Sequence, residues 1–195
     1  MKGKLLLCGT LTTLFCANSF AMEIYKGRII EHKEWTTGNA KITFKPSDAR
    51  EARLKFDQQK KQSQNAGAFI STYADSIKGN VGQPITVTGS HIIDVRNDTQ
   101  ATQRYTYILS LCTNTSNHQA QCGYYYDTVE LESGGYIFNS YTPMLQVQFD
   151  NAGTYTNYAQ TLVHTSLESN SSNFNLEMNS NSNATITISD SSKAA

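Results

Sequence analysis

Hydrophobic and polar positions alternate regularly from Gly79 to the end of the chain. In this part, short segments rich in β-branched and aromatic residues are separated by turn-forming clusters such as Asn97-Asp98 and Ser133-Gly134-Gly135. Strands at such regular spacing, without helical patterns between them, are typical of an antiparallel sandwich or barrel. The predicted strand segments are 84–88, 92–95, 104–111, 124–131, 145–149, 158–164, 174–178 and 184–188.

The chain before Gly79 has a less regular pattern, which predicts a hairpin followed by a short helix. Residues 41–44 alternate after the turn-forming residues 36–39, which predicts a hairpin over 23–45. Asp48 followed by Glu51 has the spacing of a capping box, so we expect a short, exposed helix to begin there.

Residues 66–78 are compatible with two structures. Phe69, Tyr73 and Ile77 recur every four residues, which favours a helix. The alternative is a strand through residues 68–73, where aromatic and β-branched residues are frequent. We favour the helix.

The N-terminal segment has the three-part layout of a secretory signal peptide. A short basic region precedes the apolar run 5–15, and Ser19 and Ala21 place small residues at the cleavage site before Met22. This apolar run is shorter than the roughly 20 residues needed to cross a bilayer. We therefore expect residues 1–21 to be removed, no integral membrane segment afterwards, and a secreted or periplasmic protein.

The cysteines favour the same localisation. Two of the four cysteines, Cys8 and Cys16, lie in the predicted signal peptide, which leaves Cys112 and Cys122. An even number of cysteines in an exported chain predicts a disulfide. Because the intervening residues 113–121 are polar and both flanks have strand patterns, we expect the disulfide to join the two strands of a hairpin.

One local pattern resembles a known fold family. The run Asp150-Asn151-Ala152-Gly153-Thr154-Tyr155 resembles the tyrosine corner of immunoglobulin-like domains. The resemblance implies that the Tyr155 hydroxyl bonds to backbone near the corner, and it implies an antiparallel immunoglobulin-like β-sandwich. Asn157 stands where antibody domains carry their second cysteine. The predicted organisation is a mainly β protein, with a hairpin and short helical extension over 22–78 and the sandwich over 79–195.

Composition and motifs exclude several classes of function. The 195 residues carry a formal net charge of zero, which argues against nucleic acid or an anionic membrane as a partner. Phosphate-binding loops, zinc-protease motifs and nucleophile elbows are absent from the sequence. His118 alone between two cysteines makes a poor zinc site. We therefore predict no catalytic residue, no metal and no cofactor, although a histidine and an acid could still meet in the folded chain.

Tyrosine is the most distinctive candidate for a binding surface. Nine of the eleven tyrosines lie between Tyr105 and Tyr158. Strand alternation places the first and third residues of Tyr124-Tyr125-Tyr126 on one face of the sheet and the second on the other. Exposed tyrosines suit sugar rings or a partner protein, whereas cross-strand packing is the structural alternative. The candidate binding residues are Tyr105, Tyr107, Tyr124, Tyr125, Tyr126 and His118.

Three functional hypotheses follow from the sequence. The first is an exported, non-enzymatic binding module that recognises a protein or a glycan. The second is an exported hydrolase whose site forms only in the folded chain. The third is a structural or assembly protein, such as a pilus component or a chaperone, that acts by β-strand addition. An exposed, unpaired edge strand over 184–188 would favour the third.

Overall fold

The computed structural model describes residues 22–38, 40–47, 68–114, 119–165 and 177–190. Within these ranges the chain forms nine strands and no helix. The strands are β1 (Met22–Thr37), β2 (Lys41–Pro46), β3 (Ala68–Ala74), β4 (Ile77–Asn80), β5 (Pro84–Arg96), β6 (Gln103–Asn114), β7 (Ala120–Gln148), β8 (Gly153–Thr165) and β9 (Glu177–Ser189).

Strand β7 organises the sheet because it is 29 residues long and forms ladders over residues 120–131 and 136–148. Its first half pairs with β6 and with most of β1. Its second half pairs with β5, with β2 and with the first residues of β1. The remaining strands extend this sheet in the order β3-β5-β7-β6-β8-β9-β4.

The sheet folds over itself and encloses its hydrophobic residues, so the architecture is a β-sandwich. One core cluster brings Val87 of β5 and Leu145 of β7 together with Leu111, Ala159 and Ile186 of the β6, β8 and β9 layer. A second cluster lies around alternate residues of β6 and β7. Burial of these apolar side chains supplies the main stabilising free energy of such a fold.

The alternating pattern after Gly79 predicted the strands correctly but divided them too often. The segments 84–88 and 92–95 belong to one strand, β5. The predicted turn at Ser133-Gly134-Gly135 lies inside β7, which continues through it. Gly135 is required there because a Cβ atom would lie 2.5 Å from the carbonyl oxygen of Lys26 on β1.

The predicted N-terminal hairpin is wrong in its pairing. Both strands exist, but β1 and β2 each pair with β7 and not with each other. The two strands lie beside different parts of β7, β1 mainly along its first half and β2 along its second half. Phe44 of β2 belongs to the core cluster against which Ile24 and Ile29 of β1 pack, so both strands cover the same core and each forms its ladder with β7.

The preferred helix over 66–78 is also wrong, because this segment forms β3 and β4. Strand β4 pairs in parallel with β9, so the sheet is antiparallel only in part. β4 also crosses the predicted boundary between residues 78 and 79, and the division into two parts stays a prediction. The capping-box helix predicted at residue 48 and the signal peptide over 1–21 lie outside the described residues.

Residues 184–188 do not form an unpaired edge. They pair with β8 on one side, and Ile186 to Ile188 pair with β4 on the other. The condition that would have favoured strand addition at this place is therefore not met.

The hydrogen bond predicted for the Tyr155 hydroxyl is confirmed. The Tyr155 hydroxyl donates a hydrogen bond of 2.8 Å to the carbonyl oxygen of Asn151, four residues upstream. Asn157, at the place of the second cysteine of antibody domains, is fully buried. Its amide donates to the carbonyl oxygens of Asp75 at 2.9 Å and Thr88 at 2.8 Å. These hydrogen bonds connect β8 to β5 and to the chain just after β3.

Candidate functional site

β1, β6, β7, β8 and β9 together present one side that points away from the core. Side chains of directly paired residues lie on the same face of a sheet, so the strand register defines rows across it. The rows are Thr37, Cys122, Cys112, Tyr158 and Asn183; Trp35, Tyr124, Ser110, Gln160 and Asn181; Lys33, Tyr126, Ile108, Leu162 and Asn179; and Glu31, Thr128, Thr106, His164 and Glu177. We call this surface the outer face.

Aromatic rings occupy one part of the outer face. Trp35 and Tyr124 stack with their ring centroids 4.9 Å apart and an angle of 12° between the ring planes. Trp35 nevertheless keeps 41% of its surface exposed. In the next row, the Lys33 ammonium lies 5.6 Å from the ring centroid of Tyr126. These flat, partly exposed rings are the kind of contact area that binding surfaces favour.

Charged groups border the outer face near Leu131, where the ladder between β6 and β7 ends. Glu130 accepts hydrogen bonds from Arg28 at 2.9 Å and from Arg104 at 3.2 Å. Hydrogen bonds from Arg104 and then Arg28 lower the pKa of this carboxyl group. The aromatic part of the outer face is therefore bordered by an ion-pair cluster of two arginines and one glutamate.

A concavity of about 410 Å³ lies at the opposite end of the outer face, beside the disulfide. The disulfide joins Cys112 and Cys122, which are direct partners in the ladder between β6 and β7. The predicted disulfide and the antiparallel pairing of its two strands are thus confirmed. Tyr158, Asn114 and Asn183 also line the concavity.

The inner side of the same strands carries a buried polar cluster centred on Asp127. This carboxylate is fully buried and accepts hydrogen bonds from the hydroxyls of Tyr107 and Tyr125, the latter at 2.8 Å. His32 Nδ1 lies 2.7 Å from the other carboxylate oxygen. Tyr141 joins the cluster through a hydroxyl contact of 2.6 Å with Tyr125. The cluster thus satisfies a buried charge, which would otherwise be costly.

Burial keeps the tyrosines of this cluster protonated. It raises the pKa of Tyr107 well above the usual value, and the Asp127 charge adds to the effect. Burial also raises the pKa of Tyr125 and of Tyr141. Outside the cluster, burial and the charge of Asp98 raise the pKa of Tyr105 to about 12. Tyr107 and Tyr125 therefore act as hydrogen-bond donors to Asp127 and not as acids.

The structure separates the candidate binding residues into two groups. Tyr124 and Tyr126 lie on the outer face, as the alternation predicted. Tyr105, Tyr107 and Tyr125 are buried in the core, where they hold the fold. His118 lies outside the described residues.

Sequence reasoning missed three residues of the outer face. From the sequence, Trp35 belongs only to the predicted hairpin, Tyr158 only to the predicted strand 158–164, and Asn183 to no predicted strand. Only strand register shows that Trp35 stacks on Tyr124 and that Tyr158 is the ladder partner of Asn183. The single signal available beforehand was that Trp35 is the only tryptophan in the chain.

A histidine and an acid do meet in the fold, but the arrangement lacks a nucleophile. His32 is half exposed, and its Nε2 atom lies 3.7 Å from Glu34. In the part of the chain that the structure describes, no serine or cysteine contacts this nitrogen, which a hydrolytic triad would require. The same residues contain no cluster of three or more histidine, cysteine or acidic side chains that could hold a metal.

Comparisons with known proteins give similarity of architecture only. No protein-family model and no curated protein matches the chain. The chain is similar in structure to a PapD-like domain of human CEP192, with 9% identity and a TM-score of 0.30 over 66% of this chain and 92% of that one.

Two pilus proteins of Escherichia coli show a similar degree of likeness. AggA, the major subunit of aggregative adherence fimbriae type I, has 9% identity and a TM-score of 0.31 over 65% of this chain and 97% of that one. The CooA pilin subunit has 8% identity and a TM-score of 0.27 over 62% and 98%. Because these values are low, we transfer no function from them. Among the described residues, no helix has the length and apolar character needed to cross a membrane.

Proposed function

We propose that this protein is an exported, non-enzymatic binding module that recognises a protein or a glycan through its outer face. The observation that carries the proposal is the stacked pair of Trp35 and Tyr124, which remains partly exposed on a flat sheet surface. Exposed tryptophan and tyrosine are enriched where proteins bind their partners. Tyr125, the neighbour of Tyr124, is buried, so the exposure of this pair is not a general property of β7.

Two features support export. The disulfide between Cys112 and Cys122 is of the kind that persists in oxidising compartments. The three-part layout of residues 1–21 is that of a secretory signal peptide. Mass spectrometry of material recovered outside the cytoplasm should therefore find a chain that starts at Met22. An intact N-terminus would contradict export.

The fluorescence of Trp35 tests the binding proposal directly because it is the only tryptophan. Candidate glycans and purified candidate proteins are titrated into the full mature chain, and the emission is followed. Binding to the outer face should shift the Trp35 emission. The Tyr124→Ala substitution should weaken the binding. Tyr25→Ala is the matched control, since Tyr25 stacks on Tyr136 at 5.7 Å elsewhere along β1 and β7. Equal losses for both variants would contradict the proposal.

A second candidate function is assembly by strand addition at β1. In the described ranges, β1 forms a ladder with β7 only, and most of its residues are exposed. A partner strand could extend the sheet at this edge. Charged residues along β1 protect the edge from unspecific pairing and would select a partner of complementary charge.

Two neighbouring proline variants test this second candidate. Successive backbone N–H groups of a strand point to opposite sides, so one of Lys33→Pro and Glu34→Pro removes a bond to β7 and the other removes an outward donor. The variant that loses only the outward donor should keep the stability of the wild type. Light scattering should show that this variant no longer forms assemblies. Normal assembly by that variant would rule out addition at β1.

A further inference from the structure

We infer that the concavity beside the disulfide binds one unit of a neutral saccharide. The inference deepens the proposed function and rests on the outer face being a binding surface. The volume of the concavity, about 410 Å³, falls in the range of small-molecule sites. The side chains that carry the argument are Tyr158, Asn114, Asn183, Thr156 and the two bonded cysteines.

The aromatic component of the site is Tyr158. It lies on β8 between its ladder partners Cys112 and Asn183, and its side chain is half-buried. A half-buried phenol ring offers a flat apolar face together with a polar hydroxyl. A pyranose ring has the matching combination, with an apolar face of C–H groups and a rim of hydroxyl groups.

The polar component of the site is uncharged and can both donate and accept hydrogen bonds. The amides of Asn114 and Asn183 each provide a donor and an acceptor, and the hydroxyl of Thr156 provides both functions. Sugar hydroxyls also donate and accept, so this set can pair with several of them. Among the described lining residues none carries a charge, and no lysine or arginine is present to pair with a phosphate, sulfate or carboxylate. The chemistry therefore favours a neutral ligand.

The walls of the concavity are held in place before any ligand arrives. They come from four neighbouring strands, because Cys122 pairs with Cys112, Cys112 with Tyr158, and Tyr158 with Asn183. The disulfide adds a covalent link between the first two strands. A preformed site loses less conformational entropy on binding, which favours weakly interacting ligands such as sugars.

The aromatic rings lie beside the concavity, on the side away from Asn114 and Thr156. The row of Trp35 and Tyr124 is the next row of the outer face, two residues along each strand or about 7 Å away. A linear oligosaccharide that occupies the concavity with one unit would place a following unit over these rings. The fluorescence of Trp35 should therefore report binding at the concavity as well.

The test uses the full mature chain and defined oligosaccharides. Cellotetraose, maltotetraose, chitotetraose and lactose are the neutral probes, and sialyllactose is the anionic counterpart of lactose. Binding is followed by Trp35 fluorescence and isothermal calorimetry for four variants, Tyr158→Ala, Tyr158→Phe, Asn183→Ala and Asn179→Ala. Asn179→Ala is the matched control because Asn179 lies on the same strand and face and bonds to Gln160 outside the concavity.

We expect at least one neutral probe to bind and sialyllactose to bind more weakly than lactose. Tyr158→Ala should weaken binding about tenfold or more, through loss of the stacking face. Asn183→Ala should weaken it about two- to tenfold, as expected for a lost hydrogen bond. Tyr158→Phe, which keeps the ring and should fold normally, should retain most of the affinity, and Asn179→Ala should match the wild type.

Three results would overturn the inference. The first is neutral-probe binding that Tyr158→Ala and Asn183→Ala leave unchanged, and the second is the absence of binding by any neutral probe to the folded protein. The third is a preference for the anionic probe. If a purified protein partner binds in a Tyr124-dependent manner while no saccharide does, the inference fails and the proposed function stands. If nothing binds in a Tyr124-dependent manner, the proposed function fails as well.

Discussion

Tyr124 and Tyr125 are neighbours in sequence, yet they belong to two different environments. Tyr124 stacks on the exposed Trp35 on the outer face. Tyr125 is 5% exposed and hydrogen-bonds to the buried Asp127. The pleat of one strand thus divides the tyrosines into an inner group, which serves the fold, and an outer group, which is available to a ligand.

The two groups differ in how their polar atoms are satisfied. In the inner group the hydroxyls of Tyr107 and Tyr125 are committed to Asp127. In the outer group Tyr126 contacts Glu31 at 3.3 Å, and Glu31 is partly exposed and pairs with Lys33. Removal of an inner group leaves buried partners without bonds, whereas water can replace a lost outer contact. Stability should therefore respond to the inner group and binding to the outer group.

The largest effect should come from Asp127→Ala, which removes the centre of the inner cluster. Two tyrosine hydroxyls and His32 lose their acceptor, so we expect a loss of about 3–5 kcal/mol in the free energy of unfolding. Denaturant titration measures it. Glu130→Ala, three residues along β7 on the outer face, is the control and should cost much less, because its partners Arg28 and Arg104 are exposed. Similar losses for both variants would contradict the division.

The second effect concerns the disulfide on the outer face. The double variant Cys112→Ser, Cys122→Ser removes a disulfide that links residues 10 positions apart in sequence. Its loss should lower the free energy of unfolding by about 2.5–3 kcal/mol. Because these cysteines also form a wall of the concavity, ligand binding should fall more than stability does. Two titratable thiols in the native, non-reduced protein would contradict the disulfide itself.

The third effect is a pH dependence from His91, which is fully buried between the layers and contacts Thr161 at 2.8 Å. Burial lowers its pKa to about 3, below the usual value of 6.5. Between these two values the unfolded chain binds a proton that the folded chain does not. His91 therefore lowers stability as the pH falls through this window, by about 1 kcal/mol per pH unit.

Urea titrations of wild type and His91→Asn at pH 6, 5 and 4 measure this slope. The variant should lose less stability on acidification than the wild type. His164→Asn, on the outer face and exposed, should keep the wild-type slope. Equal slopes for all three proteins would show that His91 is accessible to protons in the folded state.

The smallest effect on stability should come from Tyr155→Phe at the corner. It removes one hydroxyl that donates a hydrogen bond of 2.8 Å to the Asn151 carbonyl oxygen. We expect the free energy of unfolding to fall by about 0.5–1.5 kcal/mol. Thermal unfolding measures it. Tyr73→Phe is the control, because Tyr73 is 59% exposed. An unchanged melting temperature for Tyr155→Phe would mean that the corner bond contributes nothing to the fold.

The sequence predicted the strands after Gly79, the disulfide and the corner, because each depends on local pattern or on a pair of residue types. It failed where one spacing fits two structures. Phe69, Tyr73 and Ile77 are four residues apart, which is close to one helical turn and also two full strand periods. Residues 68–74 form a strand because β5 supplies a ladder for them, and no local pattern shows that partner.

The candidate site was predictable only in part for the same reason. Alternation alone separates Tyr124 and Tyr126 from Tyr125. It does not show which strand lies beside β7, and β1 was expected to pair with β2. The stacking of Trp35 on Tyr124 and the meeting of His32 with Asp127 both follow from the pairing of β1 with β7.

The central claim is that ligand binding and stability are divided between the two faces of β7. The most direct test measures both quantities for Tyr124→Ala and Tyr125→Phe, with the oligosaccharide or purified protein that binds best to the wild type. We predict that Tyr124→Ala loses binding and keeps its unfolding free energy, while Tyr125→Phe loses stability and keeps binding. If both variants changed both quantities together, or Tyr124→Ala changed neither, the account would be wrong.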